Sequence, residues 1–509
     1  MKKRAFTAVL IIGILVIITS CSANTPTEET RIESSTPNPS PSPTTAPVAA
    51  ATDTPVSSAA YIIPERPLSQ SGPWLLVYEF SGIWALNADG SGLTKIVDWA
   101  AEGFPNYSVF LAPNPREPIT AVLAFDTTLF NFPVLTLVSL PSGEVIYKTR
   151  LLSDSIEAAL SDSESYWQAK DIFATVGPYN HPEWSPDGSK LAFNAAIDGD
   201  SSDLYVYDVE SGTRTRLTSG PTQALEPAWS PDGSTIVQGG AAETSWEMSG
   251  YGRGMDAVWA VRADGSGVKQ LFTSEIWGDE NVLGWTSDTI VLMDTLESFC
   301  PYTNLRTIDV ETGETKIHWP DGYILRAFDP ATDTVLISIL ENNLPILAEC
   351  EVTATPGLYL IDLEEGSNQF LEIDLDTGAD IQYAPKPGRF FIQTTEDLLT
   401  IQADGQIERY PAPERGYDPP TISPDGSRWL FVDKQGRLWM GNDAGDLTSM
   451  YAADVEAVAW SPDGDAFFFL AEEDMFFISV APEFTPTLVS AELIIPPTGF
   501  GDNLIWAAP

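Results

Sequence analysis

Histidine occurs only twice in the 509 residues, cysteine three times, and lysine and arginine together 26 times against 72 aspartates and glutamates. Each shortage closes a class of function. With only His181 and His318, and nothing in the sequence bringing them together, a histidine-built zinc site has no ligand set. A formal net charge of −46 argues against nucleic acid, because a chain that approaches phosphates needs basic patches. Acidity of this kind favours solubility and repulsion between molecules. No Gly-x-Ser-x-Gly occurs, so the nucleophile elbow of a serine hydrolase is missing. The apolar run over residues 5–18 falls short of the roughly 20 residues a spanning helix needs.

That run follows Lys2, Lys3 and Arg4, the charged-then-apolar order of a secretory signal. It ends at Ile18, Thr19, Ser20 and Cys21, which resembles the lipobox of bacterial lipoproteins. The resemblance implies cleavage after residue 20, acylation of Cys21 and an extracytoplasmic chain held to a membrane by lipid. Residues 21–66 are rich in Ser, Thr, Pro and Ala, cannot bury a core, and read as a flexible tether. Residues 67–509 are then the folded part.

Within that part, the turn Trp-Ser-Pro-Asp-Gly occurs at residues 184–188, 229–233 and 460–464, with a variant at 422–426 that opens on Ile422. Trp184 and Trp229 stand 45 residues apart, Ile422 and Trp460 38. That period belongs to a four-stranded propeller blade. Short β-rich runs alternate with turn signals from about residue 70 onward, and no stretch carries helical periodicity over several turns. The turn chemistry is coherent: Pro presets φ, Asp bonds the local backbone and Gly accepts positive φ. The expected fold is an all-β, single propeller of about eight blades, within a range of seven to nine, the weakest unit being 105–150. Residues 74–97 supply only three strands, and 503–508, with Trp506, read as the missing inner one. Pairing the two chain ends in one blade closes the ring and removes an exposed edge.

The repeated turns, together with residues 87–92 (NADGSG) and 262–267 (RADGSG), resemble the TolB-type WD40-like repeat proteins, PD40. The resemblance covers most of residues 74–508 and speaks for fold more than function. TolB proteins also carry an N-terminal α/β domain used in assembly, for which the tether leaves no room.

Alternating strand direction puts the first-to-second and third-to-fourth turns on one face, and the second-to-third and between-blade loops on the other. The tight turns fall on the first face. The long segments, 126–133, 151–180, 239–257, 272–280, 297–303, 341–357 and 490–502, fall on the second, where function is expected. Cys300 and Cys350 lie there in consecutive blades, an even pair in an oxidising compartment, and are expected to form a disulfide. The glycine-rich stretch 239–256 presents Trp246, Met248, Tyr251, Arg253 and Met255, a candidate recognition loop with Trp277 and Tyr302 as companions; a loop that plugs the central channel is the competing reading. Asp198, Asp200 and Asp203 form a weak calcium candidate, since their spacing does not match an EF-hand, and solvated loop charges are the better reading.

Other propeller chemistries fail on residues. The turns put Gly directly after Asp, unlike a sialidase Asp-box, and Trp319 stands two residues too far along for a quinoprotein docking motif. No cofactor is expected. The functional expectation is a monomeric, lipid-anchored, non-catalytic protein-interaction or scaffold module whose partner is an envelope protein or glycan. The alternatives are a carbohydrate or small-ligand binding module for uptake or sensing, and a propeller lyase or hydrolase using channel carboxylates.

Overall fold

The computed structural model describes residues 62–507 apart from 80–81, 99–107, 127–130, 161–168, 170–171, 174, 178–179, 200, 221–222, 242–256, 274–280, 288, 297–302, 321–322, 340–353, 374–379, 385–387, 395–396, 415, 417–419, 453, 472–473, 480–485 and 491–503. The chain divides into Met1–Thr44, none of which is described, and Thr45–Pro509, which holds the propeller.

The described strands form nine four-stranded antiparallel sheets, numbered here as blades in chain order from the one containing Trp74. Nine lies within the expected range. The unit around 105–150 is a complete blade, built from Ser108–Pro113, Ile119–Asp126, Asn131–Ser139 and Val145–Arg150. Its sequence signal is weak because the inner strand ends in Pro113-Asn114 where blades 3, 4 and 9 place Trp-Ser. Asn114 nevertheless holds the serine's place in the turn, its amide donating to the Ile119 carbonyl as that of Ser185 donates to Lys190, while its Oδ1 accepts the amides of Arg116 and Glu117.

Strand character follows from composition: the second strands, such as Ala466–Ala471 and Thr334–Ile339, are buried throughout, whereas the outer strand Val145–Arg150 alternates toward solvent. Nine apolar clusters fill the nine spaces between neighbouring blades. The last of them joins blade 9 to blade 1 through Phe468, Leu470 and Leu75, so the apolar core runs around the ring without a gap. Leu504–Ala507 pairs with Trp74–Glu79, Trp506 opposite Leu75, which is the expected closure of the two chain ends in one blade.

The repeat tryptophans add a second linkage. Trp184 Nε1 donates to the Ala112 carbonyl at 2.8 Å, Trp229 to Glu183 at 3.0 Å, Trp285 to Ala228 at 3.3 Å and Trp460 to Thr421 at 3.0 Å. In each case the acceptor lies on the inner strand of the preceding blade, so the repeat residue staples neighbours at the ring's centre. Trp506 departs from this: its buried Nε1 finds no partner among the described residues.

One expectation changes. The segment between blades 2 and 3 contains a helix, α1 (Asp154–Ala159), capped by Ser153, whose Oγ accepts the Ile156 amide. Ile156, Ala169, Ile172, Phe173 and Val176 pack into the core between those blades. A six-residue helix is too short to register as periodicity.

Candidate functional site

Among the described residues, the turns of the tight-turn face commit their polar groups to one another. In the four Ser-Pro-Asp-Gly turns the serine Oγ donates to the aspartate: Ser185 to Asp187 at 2.7 Å, Ser230 to Asp232 at 2.6 Å, Ser423 to Asp425 at 2.7 Å and Ser461 to Asp463 at 2.6 Å. The same hydroxyl accepts the amide five residues on, and the glycines take φ between 70° and 72°. Hydrogen bonds from the turn serines, among other causes, hold the Asp187 and Asp232 carboxyls below the usual carboxylate range. Neighbouring turns are also tied together: Asn114 Nδ2 donates to the Gly188 carbonyl at 2.8 Å and Arg428 to that of Gly464 at 3.1 Å. The chain joins the ring on this same face. Asn87 accepts the Ser69 amide at 2.8 Å and donates to the Pro67 carbonyl at 3.1 Å, and Leu68 is buried beside it.

The opposite end of the inner strands carries different chemistry. His181, Glu183, Glu226, Pro227, Ala228, Gly239 and Val282 line a cavity of about 230 Å³ between blades 3, 4 and 5. His181, Glu226 and Val282 each stand three residues before the repeat tryptophan of their blade, Trp184, Trp229 and Trp285. The equivalent residue in blade 2 is Phe110, whose ring stacks on His181 with centroids 4.9 Å apart. One position of the repeat therefore reads Phe, His, Glu, Val around this part of the wall.

Glu226 sits with Pro227 in a bulge of the inner strand Gln223–Trp229, at the register shift between Leu225 and Ala228. Its φ of 43° lies in the left-handed region, costly for a residue with a Cβ. Bulges re-aim side chains and are common beside functional sites. Glu183 stands directly before Trp184, where the other Trp-ended inner strands carry Ala228, Gly284, Ala459 and Ile505. Its carboxylate accepts the Trp229 amide at 3.1 Å, and burial pushes its pKa up to about 7, the Trp229 bond opposing that rise. The carboxyl is thus poised to change charge near neutral pH.

Sequence reasoning noted His181 only as one of two histidines and missed both glutamates. The available signal was the offset from the tryptophan: aligning residues 181–184 (HPEW) with 226–229 (EPAW) sets His181 against Glu226 and leaves Glu183 as the odd residue at a small-residue position. His318, by contrast, lies on the outer strand Thr315–Pro320, with Nε2 against Thr307 Oγ1 at 2.9 Å and a pKa pushed down to about 4 by burial. The two histidines are not brought together.

Asp203 is committed to Arg216 at 2.6 Å and also accepts from Ser201, Thr218 and the Gly220 amide; Asp198 accepts the Tyr205 hydroxyl at 3.0 Å. A guanidinium occupies the side of Asp203 that a cation would use. Asp200 lies outside the described residues, as do Cys21, Cys300, Cys350, Trp246, Met248, Tyr251, Arg253, Met255, Trp277 and Tyr302. Gly239, the first glycine of the candidate recognition loop, is described and forms part of the cavity wall.

With this geometry in hand, likeness to known proteins can be weighed. Residues 151–317 match the TolB beta propeller domain, PD40. That match includes the turns at 184–188, 229–233 and 262–267. The TolB-type match includes blade 3, blade 4 and nearly all of blade 5, hence every residue of the cavity. None of the curated proteins compared with the chain matches it. Among solved structures, one described as a eukaryotic initiation factor is 11% identical, with 86% of this chain and 98% of that chain covered at a TM-score of 0.52. A dipeptidyl peptidase 4 from Porphyromonas gingivalis is 12% identical, covering 76% and 60% at 0.47. An oligogalacturonate lyase in complex with manganese is 12% identical, covering 75% and 95% at 0.35. At such identities likeness speaks to the fold alone, and only the first of these matches is close enough to do so.

Proposed function

We propose that this chain is a lipid-anchored, extracytoplasmic propeller that acts as a non-catalytic interaction module, engaging an envelope partner through its long-loop face. The observation that carries the reading is the way the polypeptide joins the ring. Asn87 holds Pro67 and Ser69 on the tight-turn face, so a tether running back to an acylated Cys21 leaves from there. The opposite face, with its cavity, is then clear of the point of attachment. Turn-to-turn bonds such as Asn114 to Gly188 use up the polar groups of the anchored side, which supports the same assignment.

Two experiments test it. Globomycin should leave the precursor uncleaved; an unchanged mature product removes the anchor. A photo-crosslinking residue at exposed His181 should yield one reproducible adduct in cells, and the same residue at Asp187 on the turn face should yield none. Adducts confined to Asp187 would reverse the assignment of faces. The cavity favours a second reading, a small-ligand module, because at about 230 Å³ it is smaller than the ~300–1,000 Å³ typical of sites for drug-sized molecules, and suits one functional group better than a whole glycan.

A further inference from the structure

A strand at the edge of a sheet presents unpaired amides and carbonyls, and proteins blunt such edges with bulges, charged residues or proline. Among the described strands, the ring follows that rule at all of its nine outer strands but one. In blades 1, 2, 4, 5, 8 and 9 the outer strand carries a β-bulge. Thr213–Arg216 of blade 3 has two arginines, and Ile407–Pro411 of blade 7 has Glu408, Arg409 and a proline. Blade 6 is the exception. Its outer strand, Asn368–Leu371, pairs in unbroken register with Gly357–Asp362 and contains neither charge nor proline. Lys269 and Lys316, second in the outer strands of blades 4 and 5, each reach turn carbonyls of the next blade; the same place in blade 6 holds the neutral Gln369, packed against Gly405.

The Asp362 amide donates to the Ser367 carbonyl at 3.0 Å, and hydrogen-bonded pairs alternate along an antiparallel ladder. Gln369 and Leu371 therefore turn their backbone groups toward Leu360 and Leu358, and Asn368 and Phe370 turn theirs outward. Phe370 is 42% exposed and ends an aromatic row, its ring 5.1 Å from that of Tyr359, which lies 4.8 Å from Trp319. Exposed Glu364 and Glu365 precede the strand and exposed Glu372 follows it, while Lys316, on the Leu363 and Glu364 carbonyls, offsets one of these charges.

We propose that the outer edge of blade 6 receives an extended segment of a partner protein as an added strand, with an apolar residue opposite Phe370 and lysine or arginine at its ends. Main-chain bonds to Asn368 and Phe370 supply the affinity, the exposed ring supplies a cross-strand contact, and the flanking glutamates select basic ends. A second copy of this chain is a poor occupant. Across a twofold axis two such edges run antiparallel, which sets Glu372 of one copy beside Glu364 and Glu365 of the other, on top of a formal net charge of −46 on each. The edge stands on the rim and uses no residue of the cavity, so this proposal and the interaction reading of the long-loop face fail independently.

Fluorescence anisotropy on the full chain in detergent tests it, using a labelled, end-capped heptapeptide of sequence Lys-Thr-Val-Tyr-Val-Thr-Lys. The peptide should bind saturably, and more weakly as salt rises. Proline in place of both threonines, which share the tyrosine's alternate set of bonding amides, should abolish binding, and so should glutamate in place of both lysines. On binding, slower hydrogen exchange should be confined to residues 368–371. Asn368→Pro deletes an amide that the sheet does not use, a place where an edge strand tolerates proline. It should leave the melting temperature close to that of the parent and weaken the peptide about tenfold, the worth of roughly one hydrogen bond. Phe370→Lys blunts the edge with a charge and should weaken binding as much, which carries the test if the proline variant does not fold. No saturable binding, full affinity in both variants, equal binding of the proline peptide, or protection at another blade would overturn the proposal. A dimer seen in sedimentation and abolished by Phe370→Lys would give the edge to a second copy and overturn the basic partner.

Discussion

The indole of Trp229 donates to the main-chain carbonyl of Glu183 at 3.0 Å while its own amide donates to the Glu183 carboxylate at 3.1 Å. One repeat residue thus clasps both ends of a residue in the preceding blade. The structural staple of the ring and the acidic wall of the cavity are the same contact.

Trp229→Phe keeps much of the apolar bulk and removes the indole N–H, leaving the Glu183 carbonyl unpaired, at a cost of about 1–3 kcal/mol. Trp506→Phe deletes a buried N–H that has no partner, so only packing is lost. Urea denaturation should give a lower midpoint for Trp229→Phe than for Trp506→Phe. Equal midpoints would show that the staple contributes nothing.

Gly188 and Gly233 occupy the same place in identical turns, with φ of 72° and 70°. A Cβ on Gly233 meets nothing closer than Pro186 Cδ at 3.8 Å, so Gly233→Ala carries only the backbone strain, about 1–2 kcal/mol. On Gly188 it would collide with the side-chain oxygen of Asn114, whose amide nitrogen holds the Gly188 carbonyl. Thermal melts should rank Gly188→Ala as clearly the less stable variant.

Burial raises the Glu183 pKa from the ordinary 4.5 to about 7, so between those values the folded chain holds a proton that the unfolded chain has released. Stability must fall as pH rises through this window and level off above it. Glu183→Gln removes the ionisation, flattening the slope between pH 4.5 and 7 and raising the melting temperature at pH 8. A variant that melts lower than the parent at pH 8 would contradict the stated burial penalty.

Asn87→Ala breaks three bonds at once, to the Ser69 amide, the Pro67 carbonyl and Ser91 Oγ. Residues 66–72 should become more rapidly cleaved by protease, with faster hydrogen exchange at Ser69, while the blades keep their protection. Unchanged cleavage would mean that buried Leu68 alone secures this segment.

Much of the architecture was legible in the chain. The tryptophan turns, their spacing, the strand that blade 1 lacks and the residues 503–508 that supply it are all local patterns, and a repeat works by making local pattern and tertiary contact agree. Blade 2 was faint because Pro113-Asn114 replaces Trp-Ser, and the equivalence of Asn114 to a serine becomes visible only in the bond from its amide to the Ile119 carbonyl. The helix at Asp154–Ala159 was hidden because one and a half turns carry no period.

By itself, then, the sequence determined the blade and its turns, because each rests on residues close together along the chain, and it announced the ring through a first unit one strand short and a spare strand at 503–508. The tertiary structure alone decided which departures from the repeat converge. His181, Glu183 and Glu226 belong to two blades and are ordinary exceptions when read singly; stacking the blades places them on one wall, and only that packing buries Glu183 enough to move its charge to neutral pH. Likewise Gly188 and Gly233 are indistinguishable in sequence and differ through Asn114, a neighbour 74 residues away.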